Sequence, residues 1–214
     1  MSLTEATWNE ARDLAGRYPQ SRSALLPMLH LVQSAEGSVT TDGIALCADV
    51  LDLTTAEVAA VATFYTMYKR HKTGKHHVGV CTNTMCAVLG GDDIWKAVST
   101  DLDAGHDETT ADGTFTLERI ECQAACTHAP VVTFDWEFFD DATVESTRAA
   151  IADLKNGKPV QSTRGATING LAASERQLAG FDDDQVDAPA MDEKMLAGLN
   201  AAKASGQTLP KSEV

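Results

Sequence analysis

The sequence predicts a mixed α/β (α+β) protein in three parts. These are an N-terminal bundle of short helices over residues 1–72, a compact βαββα domain over residues 73–156, and an acidic, extended C-terminal segment over residues 157–214. Two changes of pattern support this division. Apolar residues recur at helical spacing up to about residue 70, and short apolar runs typical of strands begin at residue 76. After about residue 157 neither pattern continues.

The first two helices of the bundle are predicted from apolar spacing. The first carries apolar residues on one face, namely Trp8, Ala11, Leu14 and Ala15. The second is an apolar run over residues 25–32, in which Pro27 is compatible only with the first helical turn. We expect Ser23 to be its N-cap and Gly37 to end it.

Two further helices complete the predicted bundle. One runs from about Asp42 to Leu51. The other opens with a capping box, in which Thr54 is followed three residues later by Glu57. Helices this short need tertiary packing to be stable, so we expect them to pack on one another.

The predicted βαββα domain begins with a strand over residues 76–80, which ends immediately before Cys81. A helix follows over about residues 91–104. A second strand over residues 115–120 ends just before Cys122. Each strand therefore leads into a cysteine.

The domain is completed by a hairpin and a helix. Residues 131–134 and 136–139 are predicted to be its two short strands, and a helix from Thr143 to Lys155 closes the domain. This order of elements is typical of a thioredoxin-like domain.

The C-terminal segment is polar, with an acidic stretch over residues 181–193 that contains no basic residue. Its composition predicts a disordered tail. The alternative is an extension that becomes ordered on a partner subunit. A short helix is compatible with residues 190–204.

Charge and hydropathy exclude several classes of function. The formal net charge is -14 and the isoelectric point is about 4.7, which disfavours nucleic acid and anionic membranes as partners. No stretch approaches the roughly 20 apolar residues of a spanning helix. The first residues do not resemble a secretory signal, so we expect a reducing, cytoplasmic compartment.

Four of the five cysteines form two close pairs. Cys81 and Cys86 enclose four residues, and Cys122 and Cys126 enclose three. Each pair follows a predicted strand, and the carboxyl ends of strands in α/β domains are where ligands bind. We therefore expect the four thiols to meet at one edge of the sheet.

Four thiolates in two loops suit an iron–sulfur cluster or a structural zinc ion. The spacing favours iron–sulfur, because His128 is the one histidine at ligand spacing and the domain is large enough to fold without metal. Zinc stays open. A thiol redox site is a third alternative, although neither pair is a C-x-x-C motif.

Three motifs resemble one known family. They are FYTMY (64–68), VCTNTMCAVLGG (80–91) and ECQAACTHAPVV (121–132). They resemble the 24-kDa iron–sulfur subunit, also called the E subunit, of bacterial NADH–quinone oxidoreductase, which is respiratory complex I. The resemblance extends over about residues 17–156. The chain has Met85, Ala124 and Phe134 where many members have Pro, Gly and Asn, but it keeps all four cysteines.

The resemblance implies a thioredoxin-like domain with one [2Fe–2S] cluster. Carried over by position, the cluster ligands are Cys81, Cys86, Cys122 and Cys126. FMN and NADH would be bound by a partner, the flavin- and NADH-binding subunit, with a large iron–sulfur subunit in the same complex. The chain would exchange an electron with that flavin and lie peripherally on the cytoplasmic side of the bacterial plasma membrane.

No substrate-converting site is expected in this chain, since no G-x-G-x-x-G motif follows a strand. Three alternatives to the complex I interpretation remain. The first is the equivalent subunit in the diaphorase module of an NAD-linked hydrogenase or formate dehydrogenase. The second is a zinc-stabilised structural module. The third is a thiol oxidoreductase that uses Cys122 and Cys126.

Other chemically notable residues have simpler interpretations. Cys47 is expected to be a buried core thiol. The segment 69–77 contains lysines, an arginine and three histidines, and is predicted to be a solvated loop or a docking surface for an acidic partner. We interpret His128 as a loop residue rather than a ligand. Phe64, Tyr65 and Tyr68 are expected to be core and interface aromatics.

Overall fold

The computed structural model describes residues 3–181 and 192–206. The first part contains helices α1 (Glu5–Gly16), α2 (Leu25–Glu36), α3 (Thr41–Leu51) and α4 (Thr55–Phe64). The second contains β1 (His76–Cys81), α5 (Thr84–Val88), α6 (Gly91–Leu102), β2 (Glu108–Thr109), β3 (Phe115–Ile120), β4 (Val132–Phe134), β5 (Glu137–Phe139) and α7 (Val144–Lys155). Helices α8 (Leu171–Leu178) and α9 (Glu193–Ala204) follow. The predicted mixed fold is confirmed.

The helical bundle forms largely where the sequence predicts it. The Thr54–Glu57 capping box makes both of its hydrogen bonds, and Gly37 ends α2 with a φ of 76°. Pro27 lies in the first turn of α2, as predicted. The prediction for Ser23 is wrong, because a 3₁₀ turn over Ser21–Ala24 runs directly into α2 and leaves no side-chain cap there.

The second part is built on a mixed sheet with the strand order β2-β3-β1-β4-β5 within the described residues. Strands β1 and β3 are parallel neighbours, paired from His76 opposite Phe115 to Cys81 opposite Ile120. The other neighbours are antiparallel. Strand β2 was not predicted, because two residues carry no alternation.

The predicted hairpin of β4 and β5 is confirmed. Asp135 and Trp136, which form its turn, both have positive φ angles, as two-residue hairpin turns commonly require. One face of the sheet packs against α6 and α7. Buried residues from these elements form its core, including Val78, Val80, Ile94, Val98, Phe115, Leu117, Phe134, Ile151 and Leu154.

The prediction for the basic segment 69–77 holds in part: Arg70, His71, Lys72 and Lys75 are exposed, whereas Lys69, His76 and His77 are buried. The Lys69 side chain is 4% exposed, and its Nζ donates to Glu118 at 2.8 Å and Asp107 at 2.9 Å. His77 Nε2 lies 2.7 Å from the same Glu118 carboxylate. His76 is also buried, with Nδ1 2.8 Å from Asp135. These ion pairs connect the segment after α4 to the sheet.

Residues 157–181 are folded, so the prediction of a disordered tail is wrong for them. Helix α8 packs against α2, and its Glu175 is fully buried. The Glu175 carboxylate contacts His30 Nδ1 at 2.5 Å and accepts from Gln33 Nε2 and Trp136 Nε1 at 2.9 Å each. This one carboxylate therefore joins the bundle to the hairpin of the sheet. The domain boundaries at 72 and 156 remain predictions.

Helix α9 forms within the range suggested by the sequence, and it has no buried residue. It is held by ion pairs, with Lys194 Nζ 2.8 Å from Asp141 and Asp192 3.0 Å from His128 Nε2. Most of the acidic stretch before it, residues 182–191, lies outside the part of the chain that the structure describes. Among the helices described, none has the length and hydropathy to cross a membrane.

Candidate metal centre

The two cysteine pairs meet at the ends of neighbouring strands. Cys81 is the last residue of β1, and Cys122 lies two residues beyond the end of β3. Because β1 and β3 are parallel, both loops leave the sheet at the same edge. Thr82 N–H donates to the Ile120 carbonyl at 3.0 Å, which fixes the two loops side by side.

The first loop is short, and its two cysteines are buried although several of its other residues are exposed. Asn83 caps α5, the short helix that carries Cys86, by accepting from Thr84 N–H at 2.7 Å. The two thiols of this loop are nearly inaccessible, with Cys81 2% and Cys86 3% exposed. Gly91 packs under the loop, since a Cβ there would lie 2.6 Å from the Cys81 carbonyl oxygen. Only glycine allows this approach.

The second loop is irregular and its thiols are exposed. Ala124 has a φ of 54°, which folds the backbone back over Cys122. Its N–H donates to Cys122 Sγ at 3.3 Å. Cys126 begins a 3₁₀ turn over Cys126–His128. A backbone N–H directed at sulfur orients the Cys122 thiol and would stabilise it as a metal ligand.

All four thiols line one small cavity of about 60 Å³ together with Val131 and residues of the two loops. None of them is in a disulfide. Within the described parts of the chain, no three His, Cys, Asp or Glu side chains form a group that could hold a single metal ion. Four thiols in two pairs suit a binuclear cluster, in which each iron takes two protein ligands. A zinc ion needs four sulfurs within about 2.3 Å of one point.

The surroundings of Cys86 favour its neutral thiol. Burial, and a hydrogen bond that the Cys86 thiol donates to Cys81, raise the pKa of Cys86 to about 11. A thiol in this environment becomes a thiolate only when a strongly positive group binds it, because a cation inverts the local preference for the neutral form. The donor set and its environment therefore fit a cationic iron core.

The remaining predicted residues lie elsewhere. Cys47 is a fully buried core thiol, as predicted, and burial raises its pKa to about 12. His128 is buried beside the second loop and contacts Asp141 rather than the cavity. Tyr68 is a core residue, whereas Phe64 is 77% exposed.

Two features beside the loops were not predicted. Three apolar side chains of the α5 segment, Met85, Val88 and Leu89, are exposed next to the cysteines. Arg119 of β3 bonds to Thr82 and Asp92. The apolar spacing of residues 85–89 is the signal that could have indicated the first, but a helix of five residues is too short for periodicity to show a face.

Comparison with known proteins identifies the class. The family model of the thioredoxin-like [2Fe–2S] ferredoxin matches residues 11–155. The computed structure also resembles an NAD⁺-reducing [NiFe]-hydrogenase in the air-oxidised state, with a TM-score of 0.55 and 16% identity over 62% of this chain and 23% of that chain. At that identity the likeness shows the fold alone. The chain belongs to the class of proteins with a thioredoxin-like [2Fe–2S] ferredoxin domain.

Relatives define the protein further. The chain is 50% identical over 208 residues to the E subunit of NADH-quinone oxidoreductase from Mycobacterium tuberculosis H37Rv, covering 94% of this chain and 81% of the relative. It is 39% identical over 149 residues to the E subunit from Rickettsia bellii, covering 68% of this chain and 89% of the relative. The chain belongs to the family of E subunits of NADH-quinone oxidoreductase. It is part of an oxidoreductase complex and carries one [2Fe–2S] cluster.

Proposed function

We propose that Cys81, Cys86, Cys122 and Cys126 are the ligands of the cluster and that the chain exchanges single electrons with the flavin of a partner subunit. The observation that carries this proposal is the convergence of the four thiols on one cavity at the edge of the sheet. The cluster, when bound, supplies a one-electron acceptor. Among the described residues that line this cavity, none is a histidine or a carboxylate that could act as a general acid or base.

The two loops have different tasks in this function. The first loop, with Cys81 and Cys86, buries its thiols and excludes water from one side of the site. The second loop, with Cys122 and Cys126, brings the other two thiols to the surface. Electron transfer requires that one side of the site approach the partner closely. The exposed second loop is therefore the side that we expect to face the flavin.

A docking surface lies next to the site. We call Met85, Val88 and Leu89 the apolar rim; their exposed fractions are 49%, 76% and 52%. Exposed apolar side chains that lie together commonly mark an interaction site. We propose that the flavin- and NADH-binding subunit covers the apolar rim. A large iron–sulfur subunit of the same complex is the second proposed partner.

The proposed location is peripheral, on the cytoplasmic side of the bacterial plasma membrane, where NADH is available to the partner subunit. The alternative assignment to an NAD-linked hydrogenase or formate dehydrogenase is not favoured by any contact among the described residues. The likeness to the hydrogenase concerns the fold, whereas 50% identity over most of the chain supports complex I.

The docking proposal is tested in the intact complex. We would introduce Val88→Asp together with Leu89→Asp and purify the complex through a tag on the flavin subunit. Removing two buried Leu- or Val-sized contacts costs roughly 1.5–3 kcal/mol each, so we expect recovery of this chain to fall about 10-fold or more. Leu178→Asp, at an apolar residue that is 45% exposed on α8, is the matched control.

Two measurements separate the possible outcomes. The rim variant alone should keep the EPR signal of the reduced cluster, which shows that its fold is intact. In the wild-type complex, NADH should reduce the cluster through the flavin and so produce the same signal. Unchanged recovery of the rim variant, or a cluster that NADH cannot reduce when dithionite can, would contradict the proposal.

A further inference from the structure

An ion pair lies directly beside the first cysteine loop. Arg119 Nη2 donates to Asp92 Oδ1 at 2.7 Å, and Arg119 Nε donates to Thr82 Oγ1 at 3.2 Å. Thr82 follows Cys81 in the chain. The guanidinium also stands over the Trp95 ring, 5.5 Å from its centroid. Its position is therefore defined by three separate contacts.

Both partners are attached to the parts of the fold that hold the cysteines. Arg119 lies opposite Val80 in the parallel pairing of β3 with β1, and Val80 is the residue immediately before Cys81. Asp92 follows Gly91 in the chain. Gly91 packs so closely under the first loop that a Cβ added to it would lie 2.6 Å from the Cys81 carbonyl oxygen and 2.8 Å from the Cys86 carbonyl oxygen. A cation and an anion thus stand at fixed places next to one loop.

We propose that Arg119 and Asp92 act on the reduction potential of the cluster in opposite directions, Arg119 raising it and Asp92 lowering it. The inference rests on the proposed function, since it requires the cluster to be held by these loops. Reduction adds one electron, with no bond formed or broken. A nearby cation stabilises the added negative charge and a nearby carboxylate destabilises it.

The pairing determines how large each effect is. With both side chains present their fields partly cancel at the cluster, and exposure to solvent screens the remainder. Removing one partner leaves the other uncompensated. Single substitutions should therefore shift the potential in opposite directions, and the double substitution should nearly restore it.

The test is a potentiometric titration of the full chain, followed by EPR at low ionic strength. We expect Arg119→Gln to lower the midpoint potential and Asp92→Asn to raise it. The midpoint potential of the double variant should be close to that of the wild type. Arg119→Lys keeps the positive charge, so its midpoint potential should also be close to the wild-type value. Added salt should reduce both single shifts.

The chain supplies a matched control in the Arg148–Asp101 pair. Its side chains are 51% and 42% exposed, against 46% and 56% for Arg119 and Asp92. Asp101 is on α6 like Asp92, nine residues later, which places it about 14 Å farther along the helix axis. Arg148→Gln and Asp101→Asn should leave the potential unchanged within the error of the titration.

The outcomes distinguish this inference from the proposed function. Opposite shifts that the Arg148–Asp101 variants do not show would support it. With a normal wild-type signal, three results would overturn it. These are midpoint shifts of the same sign in Arg119→Gln and Asp92→Asn, equally large shifts in the Arg148–Asp101 variants, and no shift in any variant. If Arg119→Gln loses its cluster, Asp92→Asn and Arg119→Lys decide the question. A wild-type chain without a [2Fe–2S] signal would overturn the proposed function itself.

Discussion

Strands β1 and β3 begin and end in contrasting environments. Around the beginning of β1 lie ionisable side chains that pair with one another: His77 and Lys69 both contact Glu118, the fourth residue of β3, and His76 contacts Asp135. Beyond the ends of both strands lie four thiols around one cavity, and none of the described residues that line it is cationic. The same two strands support both arrangements.

The difference separates structural polar groups from functional ones. Buried ionisable groups are stable when paired and hydrogen-bonded, so the network around the beginning of β1 needs no ligand. Four thiols gathered without a disulfide or a charged partner contribute little to stability. They are explained by a group that binds them. Substitutions at the strand ends should therefore change the cluster, and those around the beginning of β1 should change stability.

The largest expected effect is at the proposed ligands. Cys81→Ser and Cys86→Ser should abolish the cluster signal, because their buried side chains have little freedom to adjust to the shorter C–O bond. Cys122 and Cys126 lie on the exposed loop, so Cys122→Ser and Cys126→Ser should leave a weaker or altered signal. EPR and visible absorption of the four purified variants measure this.

Cys47→Ser is the control for these variants. Its thiol is buried in the helical bundle, so the substitution should lower stability and leave the spectrum unchanged. An unaltered spectrum in any of the four variants would remove that residue from the ligand set and break the contrast between strand beginnings and ends.

The next effect concerns the C-terminal segment. Truncation after Asn156 removes buried Val160, Ile168 and Leu171 as well as Glu175, and should cost several kcal/mol at about 1.5–3 kcal/mol per apolar side chain. Truncation after Phe181 removes α9, which has no buried residue, and should cost about 1 kcal/mol or less. Urea unfolding compares them. Equal stability of the two truncated chains would show that α8 does not join the bundle to the sheet.

A third substitution concerns the glycine that supports the first cysteine loop. Gly91→Ala would place a Cβ 2.6 Å from the Cys81 carbonyl oxygen, so the first loop must shift. We expect a loss of about 1–3 kcal/mol in stability and a lower iron content per chain. Gly90→Ala has open space around its Cβ and only a strained φ of 114°, so it should cost stability without loss of iron. Iron analysis of both variants would show whether the loop is the cause.

The last effect is a pH dependence of the ion pairs around the beginning of β1. Burial alone would raise the pKa of Glu118, but hydrogen bonds and charges from His77 and Lys69 outweigh it and hold that pKa below its usual value. The resulting stability is present above the ordinary carboxyl pKa of about 4.5 and is lost as the pH falls through the lower, folded value.

Glu118→Gln should therefore reduce the difference in unfolding free energy between about pH 6 and about pH 3.5. At the higher pH we expect the variant to be about 1.5–3 kcal/mol less stable, because Lys69 loses a charged hydrogen-bond partner in a buried position. The cluster spectrum at neutral pH should not change. An unchanged pH profile, or a changed spectrum, would contradict the separation of the two ends.

The elements that local chemistry determines were predictable. The Thr54–Glu57 box, the turn at Gly37 and the strands that end at the cysteines depend on residues close in sequence. The meeting of the four cysteines was also predictable, because it follows from the parallel pairing of two recognisable strands.

The features that were missed depend on distant partners. Composition makes residues 157–181 look disordered, yet Glu175 is held by His30 and Gln33, more than 140 residues away. The segment 69–77 looks solvated until Glu118 is placed beside Lys69. A polar residue in the sequence carries no sign of whether it will have a buried partner, so charge and composition alone predicted exposure for both.

The central claim is that the four thiols hold one [2Fe–2S] cluster. We would purify the chain from its native host without oxygen, count iron, acid-labile sulfide and zinc, and record EPR after dithionite reduction. We predict about two iron and two sulfide per chain with little zinc, and a signal whose average g-value lies below that of the free electron. About one zinc per chain with no sulfide would contradict it.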